Sequence, residues 1–178
     1  MDHGLLRQQL VTLLPRLRRF ALVLSRSADS ADDLVQASVE RALTRLDHWE
    51  PGTHLDRWLF SIVKSVWLNN QRSAKIRRAE PIEAYTDEWS SDGARDAEAR
   101  LTLAEVREAF GRLPEEQRQA LFLVSVEGYT YAEAAEILGI PIGTVISRLA
   151  RGRAALMSKT PIEAQPNVTL FKQKSNLS

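Results

Sequence analysis

Apolar positions along this chain recur every three or four residues. Leu6, Leu10, Leu13, Leu14, Leu17 and Ala21 form one such series, Leu34, Val35, Val39, Ala42, Leu43, Leu46 and Trp49 a second, and Trp58, Leu59, Ile62, Val63 and Val66 a third. The spacing is that of one face of an α-helix, and no sustained alternation of strand type interrupts it. Ser30-Ala31-Asp32-Asp33 has the form of a near-capping box with acid in the first turn, and Pro51-Gly52 stops a helix predicted to end at Trp49. The N-terminal part therefore reads as a small bundle of roughly three helices.

Beyond that bundle the pattern lapses. From Glu80 to Gly93 the chain is acidic, rich in turn formers and without apolar period, which predicts a flexible linker. Periodicity resumes at Leu101, Ala104, Val106, Ala109, Phe110 and Leu113, and Pro114, as a first-turn proline, hands over to a helix from Glu115 to Val126. Thr130-Tyr131-Ala132-Glu133 is a full capping box; its helix runs through Leu138, Gly139 supplies a tight turn, and another helix is expected from about Ile142 to Met157. The expected fold class is all-α: two small helical domains, 1–78 and 101–159, a flexible acidic linker over 79–100, and a flexible tail over 160–178.

The last two helices have the spacing of a helix-turn-helix. Two helices that cross closely around a turn glycine need a small residue four positions before it and apolar residues after it, and Ala135, Ile140, Val145 and Leu149 supply them. The outer face then holds Gly143, Thr144, Ile146, Ser147, Arg148, Arg151 and Arg153, with no acid between Glu136 and Glu163. A basic, hydroxyl-bearing helix suits a major groove and its phosphates; a hairpin that only packs, its arginines solvated, is the alternative. A second basic cluster, Lys64, Arg72, Lys75, Arg77 and Arg78, follows Trp58 and Trp67 and interleaves with Asn69, Asn70 and Gln71. Cations, aromatics and amides together suit unpaired nucleic acid, against the competing reading of a solvated helix end.

Composition narrows the function classes. A 44% hydrophobic content over 178 residues fills a core, and zero cysteines exclude disulfides, thiolate metal sites and cysteine nucleophiles. The net charge of +1 conceals an uneven layout: residues 1–78 hold 13 basic and 8 acidic side chains, 79–112 hold 4 and 9, and 113–178 hold 7 and 6. His3, His48 and His54 show no metal-ligand spacing, and neither a phosphate loop nor a nucleophile elbow is present, so no catalytic residue, metal or cofactor is expected. No targeting or membrane-spanning run is evident, and the expected address is the cytoplasm, without direct membrane insertion.

Several motifs, taken in order, resemble one family. Asp32-Asp33-Leu34-Val35-Gln36 with Val39-Glu40-Arg41-Ala42-Leu43, then Leu55-Asp56-Arg57-Trp58-Leu59-Phe60-Ser61-Ile62-Val63, then Leu113-Pro114-Glu115-Glu116-Gln117-Arg118, Glu127-Gly128-Tyr129-Thr130-Tyr131 and Gly143-Thr144-Val145-Ile146-Ser147-Arg148-Leu149 are similar to the extracytoplasmic-function (group IV) branch of the sigma-70 family. The resemblance covers roughly residues 10–157. It implies a sigma factor that directs core RNA polymerase to promoters, touching the clamp helices of the largest subunit and the flap of the second-largest, and that is held inactive by an anti-sigma factor. It implies polymerase docking through Asp32, Asp33, Gln36 and Glu40. It implies −10 contacts through Glu50, Thr53, His54, Lys64, Asn69, Asn70, Arg72, Arg77 and Arg78, the first three around a flipped base. Contacts to the −35 duplex would come from Gly143, Thr144, Ile146, Ser147, Arg148, Arg151 and Arg153, with pairing to Glu133 or Glu136 an alternative for Arg148.

Two positions depart from the family pattern. Ala37 stands where an acid is common, which places docking more on Asp33, Gln36 and Glu40. Ile146 stands where a basic residue is common and favours apolar contact with a thymine methyl. The rival readings are a stand-alone helix-turn-helix regulator, which would bind duplex DNA by itself, and a sigma-like decoy that binds an anti-sigma protein and never DNA.

Overall fold

The computed structural model describes residues 3–46, 49–50, 52–77 and 105–159; the expected linker and tail lie outside the described residues. The N-terminal half consists of α1 (His3–Ser25), α2 (Ala28–Leu43) and α3 (Leu55–Arg77). The C-terminal half consists of α4 (residues 105–111), α5 (Glu115–Leu121), α6 (Tyr131–Leu138) and α7 (Ile142–Lys159). Among the described residues there is no strand, in agreement with the all-α expectation.

Three helix boundaries differ from those the pattern predicts, each for a local reason. Helix α2 starts before Ser30, because Ser27 is its N-cap and accepts from the Ser30 N–H at 3.5 Å, with Asp29 as first-turn acid. It stops at Leu43 rather than Trp49: Thr44 caps it, its hydroxyl donating to the Arg41 carbonyl at 3.0 Å, and the Trp49 N–H closes a separate turn onto the Leu46 carbonyl. Pro114 is the N-cap of α5, not its first-turn residue, and its carbonyl accepts from the Gln117 and Arg118 N–H groups. Past Leu121 the helix widens into a π-turn over Phe122–Val126, which Gly128 at φ +79° leaves. That widening brings Glu127 and Tyr129 against α1 and α3.

One hydrophobic core runs through both halves. Phe20 of α1, Phe60 of α3 and Phe122 are all fully buried; Phe20 lies 5.2 Å from Phe60 and stacks on Phe122 at 5.7 Å between ring centroids. Tyr129 meets Phe60 edge-on at 5.7 Å. Arg118 of α5 is 4% exposed, and its guanidinium donates to the Val23 carbonyl at 3.1 Å, in the last turn of α1, and to the Leu113 carbonyl at 2.5 Å. A cation at the C-terminal end of a helix is favoured by the helix dipole, which helps to offset its burial.

Candidate nucleic-acid interface

The helix-turn-helix forms as its local chemistry dictates. The Thr130 hydroxyl accepts from the Glu133 N–H at 3.2 Å, the Glu133 carboxylate accepts from the Thr130 N–H at 2.9 Å, and Gly139 closes α6 at φ +64°. Ala135, Val145 and Leu149 are buried in the crossing, as the spacing predicts. Gly152 lets α7 lie against α5: a Cβ there would come 2.7 Å from Leu121 Cδ1. The outer face of α7 exposes Gly143, Ile146 and Arg151, while Thr144, Ser147, Arg148 and Arg153 are half-buried. Ile142 and Ile146 are both about half exposed, an apolar edge beside the arginines. Arg151 bends back along the helix, donating to the Ser147 carbonyl at 3.2 Å and the Ser147 hydroxyl at 3.3 Å. Glu133 and Glu136 are taken by Arg57 of α3, at 3.7 and 3.1 Å, rather than by Arg148.

The turn before α3 borders a cavity of about 520 Å³. Thr53 shapes that turn through its N–H and hydroxyl, which both donate to the Glu50 carbonyl, and the His54 carbonyl accepts from the Trp58 N–H. Trp49 and Trp58 line the cavity, and the Trp49 indole N–H is buried without a hydrogen-bond partner. Asn69, Asn70 and Arg72 are exposed along α3. Lys64 behaves differently from these: its ammonium donates to Gln119 Oε1 at 2.7 Å, and burial pushes its pKa down against the opposing pull of Glu115. His48, Arg78 and the side chain of Arg77 lie outside the described residues.

A third surface lies between α1 and α2. Leu14, Pro15, Val35 and Val39 floor a groove of about 540 Å³, with Gln36 and Glu40 on its rim, joined at 3.2 Å. Arg18 donates to both carboxylate oxygens of Asp32, at 2.7 and 3.2 Å, and this hydrogen bonding holds the exposed carboxyl below the ordinary range. Asp33 is exposed. The polar rim is readable in the sequence, whereas the apolar floor merges there with the core stripe. Among the described residues no helix is long and apolar enough to cross a membrane.

Comparison with known proteins follows this layout. A family model described as Sigma-70, region 4 matches residues 103–156, and one described as the Sigma2 domain of PhyR matches residues 10–64. The ECF RNA polymerase sigma factor EcfG of Rhodopseudomonas palustris is 38% identical over 151 residues, covering 85% of this chain and 82% of that protein. The chain belongs to the extracytoplasmic-function sigma factors. Another relative is the ECF sigma factor SigC of Mycobacterium tuberculosis, 34% identical over 84% of this chain and 77% of its own length. Among solved structures, the sigma factor RpoE of Bartonella quintana in complex with the anti-sigma factor NepR matches with a TM-score of 0.71 at 30% identity, over 89% of this chain and 98% of that one. As an ECF sigma factor, the chain directs core RNA polymerase to specific promoters and initiates transcription.

Proposed function

We propose that this sigma factor divides its task among the three surfaces. The α1–α2 groove docks on the clamp helices of core RNA polymerase, with Asp33, Gln36 and Glu40 on its rim, while Asp32 acts through Arg18. The turn carrying Glu50, Thr53 and His54 holds a flipped −10 base, and Asn69, Asn70, Arg72, Arg77 and Arg78 follow the melted strand. Helix α7 enters the −35 major groove. The observation that carries the −10 assignment is the cavity itself: the indoles of Trp49 and Trp58 with polar Glu50, Thr53 and His54 beside them suit a base, apolar on its faces and polar at its edge. By analogy with RpoE bound to NepR and CnrH bound to CnrY, an anti-sigma protein controls the chain.

Transcription in vitro tests the assignment, with core polymerase, genomic promoter fragments and this protein added or withheld. New 5′ ends that require the protein and share a −35 and −10 pair support it; neither starts nor a complex with core would refute it. The match of residues 10–64 to the sigma-like domain of PhyR favours the decoy as the second reading, and that reading predicts anti-sigma binding without any start. The acid-free, arginine-bearing face of α7 weighs against it.

Ile146 yields a sharper expectation. If it covers a thymine methyl, replacing that thymine by deoxyuridine in the −35 duplex removes about 0.8 kcal/mol of apolar burial, roughly fourfold in affinity. Ile146→Ala then binds both duplexes equally. A preference for thymine that survives in Ile146→Ala places the methyl contact elsewhere.

A further inference from the structure

We propose that the first turn of α7 reads the −35 element by close fit: Gly143 lets the backbone sit against the base edges, while Ile142 and Ile146 cover two thymine methyls. This rests on the assignment of α7 to the −35 major groove, and it adds Ile142 and Gly143 to Ile146 as specificity-determining residues. Gly143 supplies the first observation. A glycine serves the fold where φ is positive or where a side chain would collide, and Gly152 of the same helix meets the second condition against Leu121. Gly143 meets neither: it is helical, its φ is not positive, and a Cβ there would touch nothing within 4 Å. At such a position alanine is the more stable residue, because glycine leaves the unfolded chain more freedom to lose. The fold thus gives up stability at an exposed position on the face assigned to DNA. What the missing side chain permits is the close approach of a molecule from outside.

The isoleucines supply the second observation. Ile142 and Ile146 are 49% and 48% exposed and lie one turn apart, beside Gly143. Polar readers are scarce on that turn. The Ser147 hydroxyl donates to the Thr144 carbonyl at 3.0 Å and accepts from Arg151 at 3.3 Å, so it is engaged within the helix. Thr144 and Arg148 each stand two residues from Ile146, which turns them roughly 160° away from it, onto the other flank. Among the features that base edges offer in the major groove, the thymine C5 methyl is the one an isoleucine side chain matches. Four residues of helix advance about 6 Å, close to two base steps of roughly 3.4 Å, so the two methyls belong to thymines two base pairs apart. Arg153, seven residues beyond Ile146, continues the same edge toward a phosphate.

Holoenzyme assembled from core polymerase and the full chain, with a promoter taken from a mapped start, provides the test. Replacing each thymine of the −35 element in turn by deoxyuridine should weaken binding roughly fourfold at two positions two base pairs apart. Ile142→Ala should abolish the loss at one of them and Ile146→Ala at the other. Gly143→Ala should raise the melting midpoint of the free chain by about 1–4 °C and yet weaken promoter binding about tenfold. The absence of such a pair of positions, or a pair that keeps both losses in Ile142→Ala, overturns the readout. A Gly143→Ala chain that binds as wild type, or that melts lower, overturns the close approach. Arg151→Ala with Arg153→Ala separates these failures from a failure of the underlying assignment. That double variant should bind every duplex more weakly and keep each deoxyuridine difference, whereas an unchanged affinity removes α7 from the −35 element altogether.

Discussion

Phe122→Ala is expected to lower the unfolding free energy by about 3–5 kcal/mol and to do so in both halves at once. The ring is fully buried and stacks on Phe20 of α1, so its removal leaves a void on the seam rather than inside one half. Against a total stability of about 5–15 kcal/mol this is a large fraction, and it corresponds to a fall in Tm of about 10 °C. The positions of the tryptophans make the coupling measurable. Trp49, Trp58, Trp67 and Trp89 all precede α4, so fluorescence reports the N-terminal side and its seam with α5, where the Trp67 indole donates to Glu115, while far-ultraviolet circular dichroism reports every helix. If the seam joins the halves, both probes shift together although the substitution is in the C-terminal half. A fluorescence midpoint left at its wild-type value would show that the halves unfold separately.

How far the molecule is legible in its sequence follows from the range of each interaction. The Thr130–Glu133 capping box and the Gly139 turn are closed within a few residues, and spacing alone reveals them. The start of α2 is ambiguous in the sequence because Ser27 and Ser30 both offer a hydroxyl before an acid; the chain uses Ser27, directly after the left-handed turn of Arg26 at φ +60°. The seam is a different matter. Arg16 and Glu127 are 111 residues apart, and nothing in periodicity pairs them. The only local trace is an acid beside a glycine and a tyrosine in an otherwise apolar stretch, at Glu127-Gly128-Tyr129. Lys64 shows the consequence: by type it belongs with the other cations of α3, yet its place against Gln119, about two turns before Arg72, is visible only once α5 is in place. Val35 and Val39 were legible as apolar but not as a surface, because the stripe that contains them is wider than the face α2 buries.

That surplus width carries the other large expectation. Val39→Asp should weaken binding to core polymerase by about 100-fold, close to 2.7 kcal/mol, while leaving the duplex affinity of α7 unchanged. Val35 and Val39 lie half-buried on the floor of the α1–α2 groove, where a docked helix would exclude water, and a carboxylate there would be desolvated without a partner. Gln36→Ala with Glu40→Ala acts only on the rim, where side chains stay in contact with water, and should cost less than tenfold. Fold stability should barely change in the rim variant, whose side chains are exposed, and should fall by about 1–2 kcal/mol in Val39→Asp, because Val39 packs partly against the core, while Leu34 and Ala42 still anchor α2 from its other side. Binding to fluorescently labelled core measures the first effect, and a −35 duplex titration measures the second. A rim substitution that costs more than the floor substitution would show that polar contacts, and not the apolar groove, hold the polymerase.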